Sequence, residues 1–322
     1  MADRTIVPAL AETLRLPVIV SPMFLVSGPD MVIAAAKAGI IGAFPAPNAR
    51  TIDDLSGWLA RIRDELAAAG RPGQWALNMI VHPTYARFDA EIDLASEYKP
   101  KIVITALGGP KRVLDRVHGW GGAVFTDVIN AEHAKKAVDA GADGLVLVTA
   151  GAGGHTGQYS AFAFVDAVRK FWDGPLIVGG AVSNGRGVRA MLTLGADFVY
   201  MGTRFIATQE SLVGDEYRQM VIRSQMSDIL TSRAITGVAG NWMRESLERS
   251  GFDFAKLDTA AKIDFSDLLG EAKAWKTIWS AGQGVGAISE VQTVAGIVDE
   301  LCAQYAAEAP RAAELALWPK LG

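Results

Sequence analysis

Eight short apolar runs, each followed by an amphipathic stretch, constrain this chain more than any other feature of it. The runs are Val18–Met23, Gly42–Ala46, Trp75–Val81, Lys101–Leu107, Ala123–Val128, Gly144–Ala150, Pro175–Ala181 and Phe198–Phe205. They are strand-sized, and several are rich in β-branched residues. Between them lie helical patterns such as "GPDMVIAAAKAG", "TIDDLSGWLARIRDEL", "NAEHAKKAVDAG" and "NGRGVRAMLTLG", most of which end on glycine, as helix C-termini do. Strands alternating with helices predict a parallel sheet, and runs that are apolar on both alternating faces predict that both faces are covered. Two joints are near copies, "AVDAGADGLVLV" and "MLTLGADFVYM", in each of which a helix ends at Gly-Ala-Asp before a strand begins. Eight such units predict a closed TIM (β/α)8 barrel, an α/β fold that typically needs about 250 residues.

The period breaks after the eighth run. Residues 209–280, rich in Met, Trp and Arg, predict a largely helical insertion, and "SEVQTVAGIVDELCAQYA" predicts the last helix of the outer ring. The barrel therefore comprises 1–208 and 281–322, with 209–280 inserted between the eighth strand and the last helix. That position is at the C-terminal face, where barrel active sites lie, so a lid or substrate wall is its expected role. Trp242, Trp275 and Trp279 in or beside it fit either that wall or core packing.

Half of the 322 residues are hydrophobic and the mean hydropathy is +0.20, which predicts a large buried core. No apolar run reaches the roughly 18 residues that span a bilayer, and the first twenty residues lack a secretory pattern. A cytoplasmic protein with no membrane partner is expected. A net charge of −4 without clusters of Lys, Arg and aromatic residues argues against nucleic acid as a partner. The lone cysteine, Cys302, lies in a helical pattern and is expected to pack; the Ala- and Leu-rich C-terminal helices suit barrel closure or a homodimer contact equally.

The chemistry is expected in three loops. Those after the seventh and eighth strands, "GGAVSNGRG" and "MGTRF", are where this fold binds phosphate. There Gly179, Gly180 and Ala181 would let an anion approach the main chain, and Gly202 and Thr203 would add an N–H and a hydroxyl. The loop after the sixth strand, "AGAGGHTGQYS", sets His155 among Gly151, Gly153, Gly154 and Gly157. Its near-neutral pKa suits proton transfer, and the glycines would leave room for a flat ring beside the backbone. "GAGGHTG" also approximates a dinucleotide fingerprint, but its third glycine would fall on Thr156 and it follows the sixth strand rather than the first. Among the other histidines only His82 is expected to reach the site; His118 falls in a polar loop and His133 on a helix surface, and no spacing suggests a metal site. Asn78 and Asp127 interrupt strands three and five, where burying either unpaired would cost a few kcal/mol. Each would satisfy a heterocycle or a backbone group.

Taken together, "PVIVSPM", "AGGHTG", "GPLIVGGAVSNGRG", "LGADFVYMGTRFIAT" and "WSAGQGVG" resemble the nitronate monooxygenase (2-nitropropane dioxygenase) family of FMN-dependent TIM barrels, over about Leu16 to Tyr305. That family is related to FMN-dependent enoyl-ACP reductases and NADH:quinone reductases. The resemblance implies that Gly179, Gly180, Gly202 and Thr203 hold the FMN phosphate and that the isoalloxazine lies near Pro22, Met23, Asn78 and Gly154. It also implies that His155 is the active-site histidine and that Gln283 lies in a segment folded back over the flavin. Two activities follow: oxidation of an alkyl nitronate with O2, or reduction of an activated alkene, such as an enoyl thioester, or of a quinone by NAD(P)H. A barrel that binds a phosphorylated metabolite without redox chemistry is the third. Where many relatives carry Gln before the "PM" segment this chain has Val20 or Ser21, "FLVSG" follows Met23, and Tyr159 is expected near the histidine. These departures alter the substrate pocket.

Overall fold

The computed structural model describes residues 5–261 and 277–308. Its elements are α1 (Ile6–Ala11), β1 (Val18–Val20), α2 (Pro29–Ala38), β2 (Ile41–Pro45), α3 (Ile52–Ala68), β3 (Trp75–Ile80), α4 (Phe88–Tyr98), β4 (Ile102–Ala106), α5 (Leu114–Gly119), β5 (Ala123–Val128), α6 (Ala131–Asp139) and β6 (Gly144–Val148). They continue with β7 (Gly154–His155), α7 (Ala161–Arg169), β8 (Leu176–Gly179), α8 (Gly185–Leu194), β9 (Phe198–Met201), α9 (Asp215–Arg223), β10 (Ile229–Ser232), β11 (Gly240–Met243), α10 (Arg244–Arg249) and α11 (Val294–Ala307).

Strands β1 to β6, β8 and β9 form a closed parallel barrel, with β9 pairing back onto β1 through Ile19 and Tyr200. All eight expected runs are strands, and the barrel expectation holds. The repeated Gly-Ala-Asp joint has a shared physical basis. Asp143 Oδ2 accepts a hydrogen bond from Val124 N–H at 2.7 Å, and Asp197 Oδ2 accepts one from Leu176 N–H at 2.9 Å. In both copies the carboxylate at the start of one strand satisfies an early amide of the strand before it.

The barrel interior is packed with Ile19, Ile41, Ile102, Ile104, Phe125, Val146, Ile177, Phe198 and Tyr200, and Leu10 of α1 joins this cluster. Side chains alternate along a strand, so two residues beyond Phe125 and Phe198 the interior is occupied by Asp127 and Tyr200. Helix α11 packs Val294, Ile297, Val298 and Leu301 against Met31, Ala35 and Val188 of α2 and α8. Cys302 on the same helix is partly buried.

The segment 209–280 differs from its expected helical character. Its described part carries α9 and α10 but also β10 and β11, which pair antiparallel with each other and, through β11, with β7. The physical reason is visible at Trp242, which is fully buried and donates from Nε1 to Ser232 O across the hairpin. Trp242 therefore packs. Trp279 stacks on Tyr217 with ring centroids 4.8 Å apart, and Trp275 lies outside the described residues.

Candidate active site

A cavity of about 1080 Å³ opens at the C-terminal ends of the barrel strands. Pro22, Met23, Asn78, Asp127, Gly151, Gly154, His155, Gly179, Gly180, Ala181, Gly202 and Thr203 all line it. Gln283 does not. Its side chain is exposed, while its N–H donates to Gly151 O at 2.9 Å, so the 280–284 segment folds onto the β6 loop. The neighbouring Gly282 N–H donates to Thr203 Oγ1 at 2.8 Å. A Cβ on Gly153 would stand 2.7 Å from Gly282 N and 2.9 Å from Ala281 C. That glycine is therefore needed for backbone packing rather than for a flat ring, as is Gly157, whose Cβ would run into Val148 O. Gly154, at φ 65°, has only Ser280 Oγ near a notional Cβ, at 3.8 Å. It is the glycine of this loop that leaves space at the cavity wall.

His155 is held by the hairpin that sequence reasoning missed. Gly240 pairs with His155 and Asn241 with Gly154. Asn241 Nδ2 donates to Ala152 O at 2.7 Å, and Thr156 N–H donates to Ala239 O at 2.9 Å. His155 Nε2 lies 3.4 Å from Thr236 Oγ1. Loss of solvent around the ring pushes its pKa down to about 4, so the neutral imidazole, which can accept a proton, prevails above that pH.

Beside the β6 loop, on the neighbouring strand, the backbone turns from β8 through Gly180 (φ 139°) and Ala181 (φ 56°). Thr149 Oγ1 donates to Gly179 O at 2.8 Å, tying the ends of β6 and β8 together. Gly202 and Thr203 follow β9 on the same side of the cavity. A positive φ at a non-glycine residue such as Ala181 is uncommon and is tolerated where the surroundings impose it. Gly185, further along, is already used: its N–H donates to Gln304 Oε1 at 2.8 Å, joining α8 to α11.

The cavity lining contains polar atoms without protein partners. Asp127 Oδ1, Ser183 Oγ and Tyr200 OH are buried with no hydrogen-bond partner, and all three residues line the cavity. Desolvation alone lifts the Asp127 carboxyl to about 7. Burial, and then the charge of Asp127, raise the Tyr200 phenol well above its ordinary value. Leaving a buried polar atom unpaired costs about 1–3 kcal/mol, so three around one void fit a ligand rich in hydrogen-bonding edges. Asn78 is the exception, since its Nδ2 donates to Ile104 O at 3.1 Å; the backbone partner accounts for its burial.

Tyr200 and Ser183 were not singled out in the sequence. The signal for Tyr200 was its spacing of two from Phe198, which places both inside the barrel. His82 does not line the cavity; its Nδ1 sits 2.8 Å from Thr84 Oγ1. His133 does line it, on the outer part formed by α6. The helix-surface pattern was right, but that surface faces the groove. Tyr159 is 43% exposed, outside the cavity lining, with its ring 6.1 Å from that of Phe164.

One wall depends on a single amide. Asn48, nearly fully buried, accepts from Leu25 N–H at 2.9 Å and donates to Met23 O at 2.9 Å and Ser27 O at 2.7 Å. It clamps the loop in which Leu25 adopts φ 59° and which supplies Pro22, Met23, Phe24 and Val26 to the cavity. At about 1 kcal/mol per bond, and more where a partner is left unsatisfied, Asn48→Ala is expected to cost about 2–4 kcal/mol. In urea denaturation the midpoint should fall with little change in slope. An unchanged midpoint would mean that the loop holds itself.

Comparison with known proteins agrees with this geometry. A family model described as nitronate monooxygenase matches residues 64–304. A 5-hydroxy-7a-methyl-1-oxo-octahydro-1H-indene-4-carboxyl-CoA dehydrogenase of Rhodococcus jostii is 29% identical over 239 residues, 73% of this chain and 65% of that protein. The matching Mycobacterium tuberculosis dehydrogenase is covered over 64% of its length, so the chain aligns with just under two thirds of these two relatives. A nitronate monooxygenase of Neurospora crassa is 26% identical over 329 residues, 89% of this chain and 86% of that one. Among solved structures, FabK from Thermotoga maritima superposes with a TM-score of 0.78 at 23% identity, covering 97% of this chain and 99% of that one. A nitroalkane oxidase from Streptomyces ansochromogenes gives 0.79 at 22%, covering 96% and 99%. These two likenesses establish the barrel fold. With a match over most of its length and the histidine loop and glycine turns at the mouth of one cavity, the chain belongs to the nitronate monooxygenase family.

Proposed function

We propose that this protein is a flavin-dependent oxidoreductase that holds FMN in the barrel mouth and oxidises alkyl nitronates with O2, with His155 as its proton-handling group. The observation that carries this reading is the cavity itself. His155, the Gly179–Ala181 turn, Gly202 and Thr203 all line it, together with Asp127, Ser183 and Tyr200, each of which has an unpartnered oxygen. The turns after β8 and β9 would hold the phosphate, and the unpartnered polar atoms would meet the edges of the ring system. Bound FMN would supply a two-electron acceptor that O2 can reoxidise. The chain's own part is to orient the substrate and move its proton. A neutral imidazole at position 155 can take the α-proton of a neutral nitroalkane, whereas an anionic nitronate needs a hydrogen bond rather than a base.

A second reading, an NAD(P)H-dependent reductase of an enoyl thioester, is favoured by one feature. The cavity continues outward past Ile80, Val81 and Leu107 to a groove between residues 110–112 and α6, where Lys111, Arg112, His133 and Lys136 line it. Asp139 also lines this groove, Lys136 is paired with Glu132 at 2.7 Å, and Arg112 donates to His82 O at 3.1 Å. Lys111 thus remains the cation best placed to meet an anionic tail such as that of a CoA thioester, the substrate class in the Rhodococcus relative's name.

One anaerobic experiment separates the readings. Under the first, the visible flavin spectrum bleaches on adding an alkyl nitronate and not on adding NADPH or NADH. Bleaching by a nicotinamide, followed by reoxidation with an enoyl-CoA, would replace it with the second. Colourless protein that takes up no added FMN would remove both in favour of a barrel that binds a phosphorylated metabolite.

A further inference from the structure

The polar pair at the cavity floor has a consequence beyond holding a ligand. Asp127 occupies the interior position two residues above Phe125, in register with Val146 of β6, and Tyr200 occupies the equivalent position above Phe198 on β9. Both point into the barrel axis rather than out to the helices, and Oδ1 of one and the hydroxyl of the other lack partners. The groups around the carboxyl are few. Beside it, β4 contributes Thr105 and Ala106 and β6 contributes Val146 to Val148, none of which titrates. Tyr200 is its titratable neighbour. His155 stands at the cavity wall, and Lys111, Arg112, His133, Lys136 and Asp139 lie in the outer groove. No cation appears among the causes of the carboxyl's elevated pKa, which is due to desolvation.

We propose that Asp127, with Tyr200 as its polar neighbour inside the barrel, couples the electron affinity of a flavin bound in this cavity to pH. The inference rests on the flavin reading above. A flavin bound here would gain one negative charge on taking up two electrons and one proton, as a hydride from the nicotinamide or, with the nitronate as electron donor, with the proton drawn from solvent. An anionic carboxylate buried nearby opposes that charge, because the low-dielectric interior screens it poorly. Where the carboxylate takes up a proton as the flavin is reduced, two protons rather than one enter per electron pair, and the repulsion is removed. Asp127 needs no contact with the substrate to do this. It acts through the cofactor, as a tuning residue.

The test is spectroelectrochemical titration of the flavin-loaded protein between pH 5 and 9, on the wild type, Asp127→Asn and Tyr200→Phe. Asparagine keeps the shape and removes the charge. In the wild type the midpoint potential should fall with pH about twice as steeply in the window where Asp127 is anionic beside oxidised flavin and neutral beside reduced flavin. In Asp127→Asn that steep window should vanish, leaving a potential above the wild type's at high pH and close to it at low pH. In Tyr200→Phe the window should move to higher pH, because a buried anion beside an apolar ring instead of a phenol is harder to form. Wild-type slopes and potentials in Asp127→Asn, with flavin bound, would overturn the proposal and leave the functional reading intact. An unmoved window in Tyr200→Phe would remove Tyr200 from it, and protein that binds no flavin would overturn both.

Discussion

His155→Ala is expected to retain bound flavin and lose turnover by about 10²–10⁴-fold, the contribution a positioned acid or base ordinarily makes. The two halves of that expectation come from different parts of the structure. Flavin retention follows because the turns after β8 and β9, rather than the His155 ring, are the groups proposed to hold the phosphate. Loss of turnover follows if the neutral imidazole takes the substrate proton, as proposed, from a position fixed by the backbone pairing of β7 with β11. Truncating the side chain leaves that pairing untouched, so the variant should fold. Full activity in His155→Ala would require a different base, and Asp127 would be the first to examine.

The pH dependence has a definite sign. Burial lowers the His155 pKa from its ordinary 6.5 to about 4, so the neutral form persists well into the acid range. If His155 acts as base, kcat/KM for a neutral nitroalkane should hold through pH 6.5 and fall only as pH approaches about 4. The same shift acts on stability. Below pH 6.5 the unfolded chain binds a proton at this residue that the folded chain does not, so the residue disfavours folding increasingly as pH falls from about 6.5 to about 4. His155→Ala should therefore lose less stability over that range than the wild type.

The barrel was legible because each of its strands is buried on both faces, which makes it a continuous apolar run between glycine-ended helices. The β10–β11 hairpin was not, for the opposite reason. "ILTS" and "GNWM" are four residues each, too short for alternation to show, and their partner is a two-residue strand inside a glycine loop. Nothing local in "AGGHTG" announces that Gly154 and His155 will pair with a segment some eighty residues later. The glycine-rich loops could be placed at the cavity from their position after strand ends. What each glycine is for could not, since Gly153 and Gly157 are required by backbone from other parts of the chain, which only the folded arrangement brings near. The orphaned hydroxyl of Tyr200 was hidden within an apolar strand, and its sharing of the barrel interior with Asp127 depends on barrel closure.

Gly180→Val is the second large effect expected, and the structure gives it two separable causes. The residue adopts φ 139°, which side chains rarely accept, at a cost of about 1–3 kcal/mol. A Cβ there would also run into Thr149 Oγ1 and stand 3.1 Å from Ala150 O. Because Thr149 ties β6 to β8 through Gly179 O, relieving that collision must part the two strand ends between which the turn is held. Overpacking of this kind adds about 1–3 kcal/mol. Gly180→Ala has the same φ strain and the same first collision but lacks the branched methyls that would project further. The alanine variant should bind flavin weakly and recover it when excess FMN is added. The valine variant should stay colourless at the same excess, although circular dichroism shows it folded. Flavin bound one-to-one by folded Gly180→Val would place the phosphate away from the β8 turn, and the cradle would then have to be sought at Gly202 and Thr203 alone.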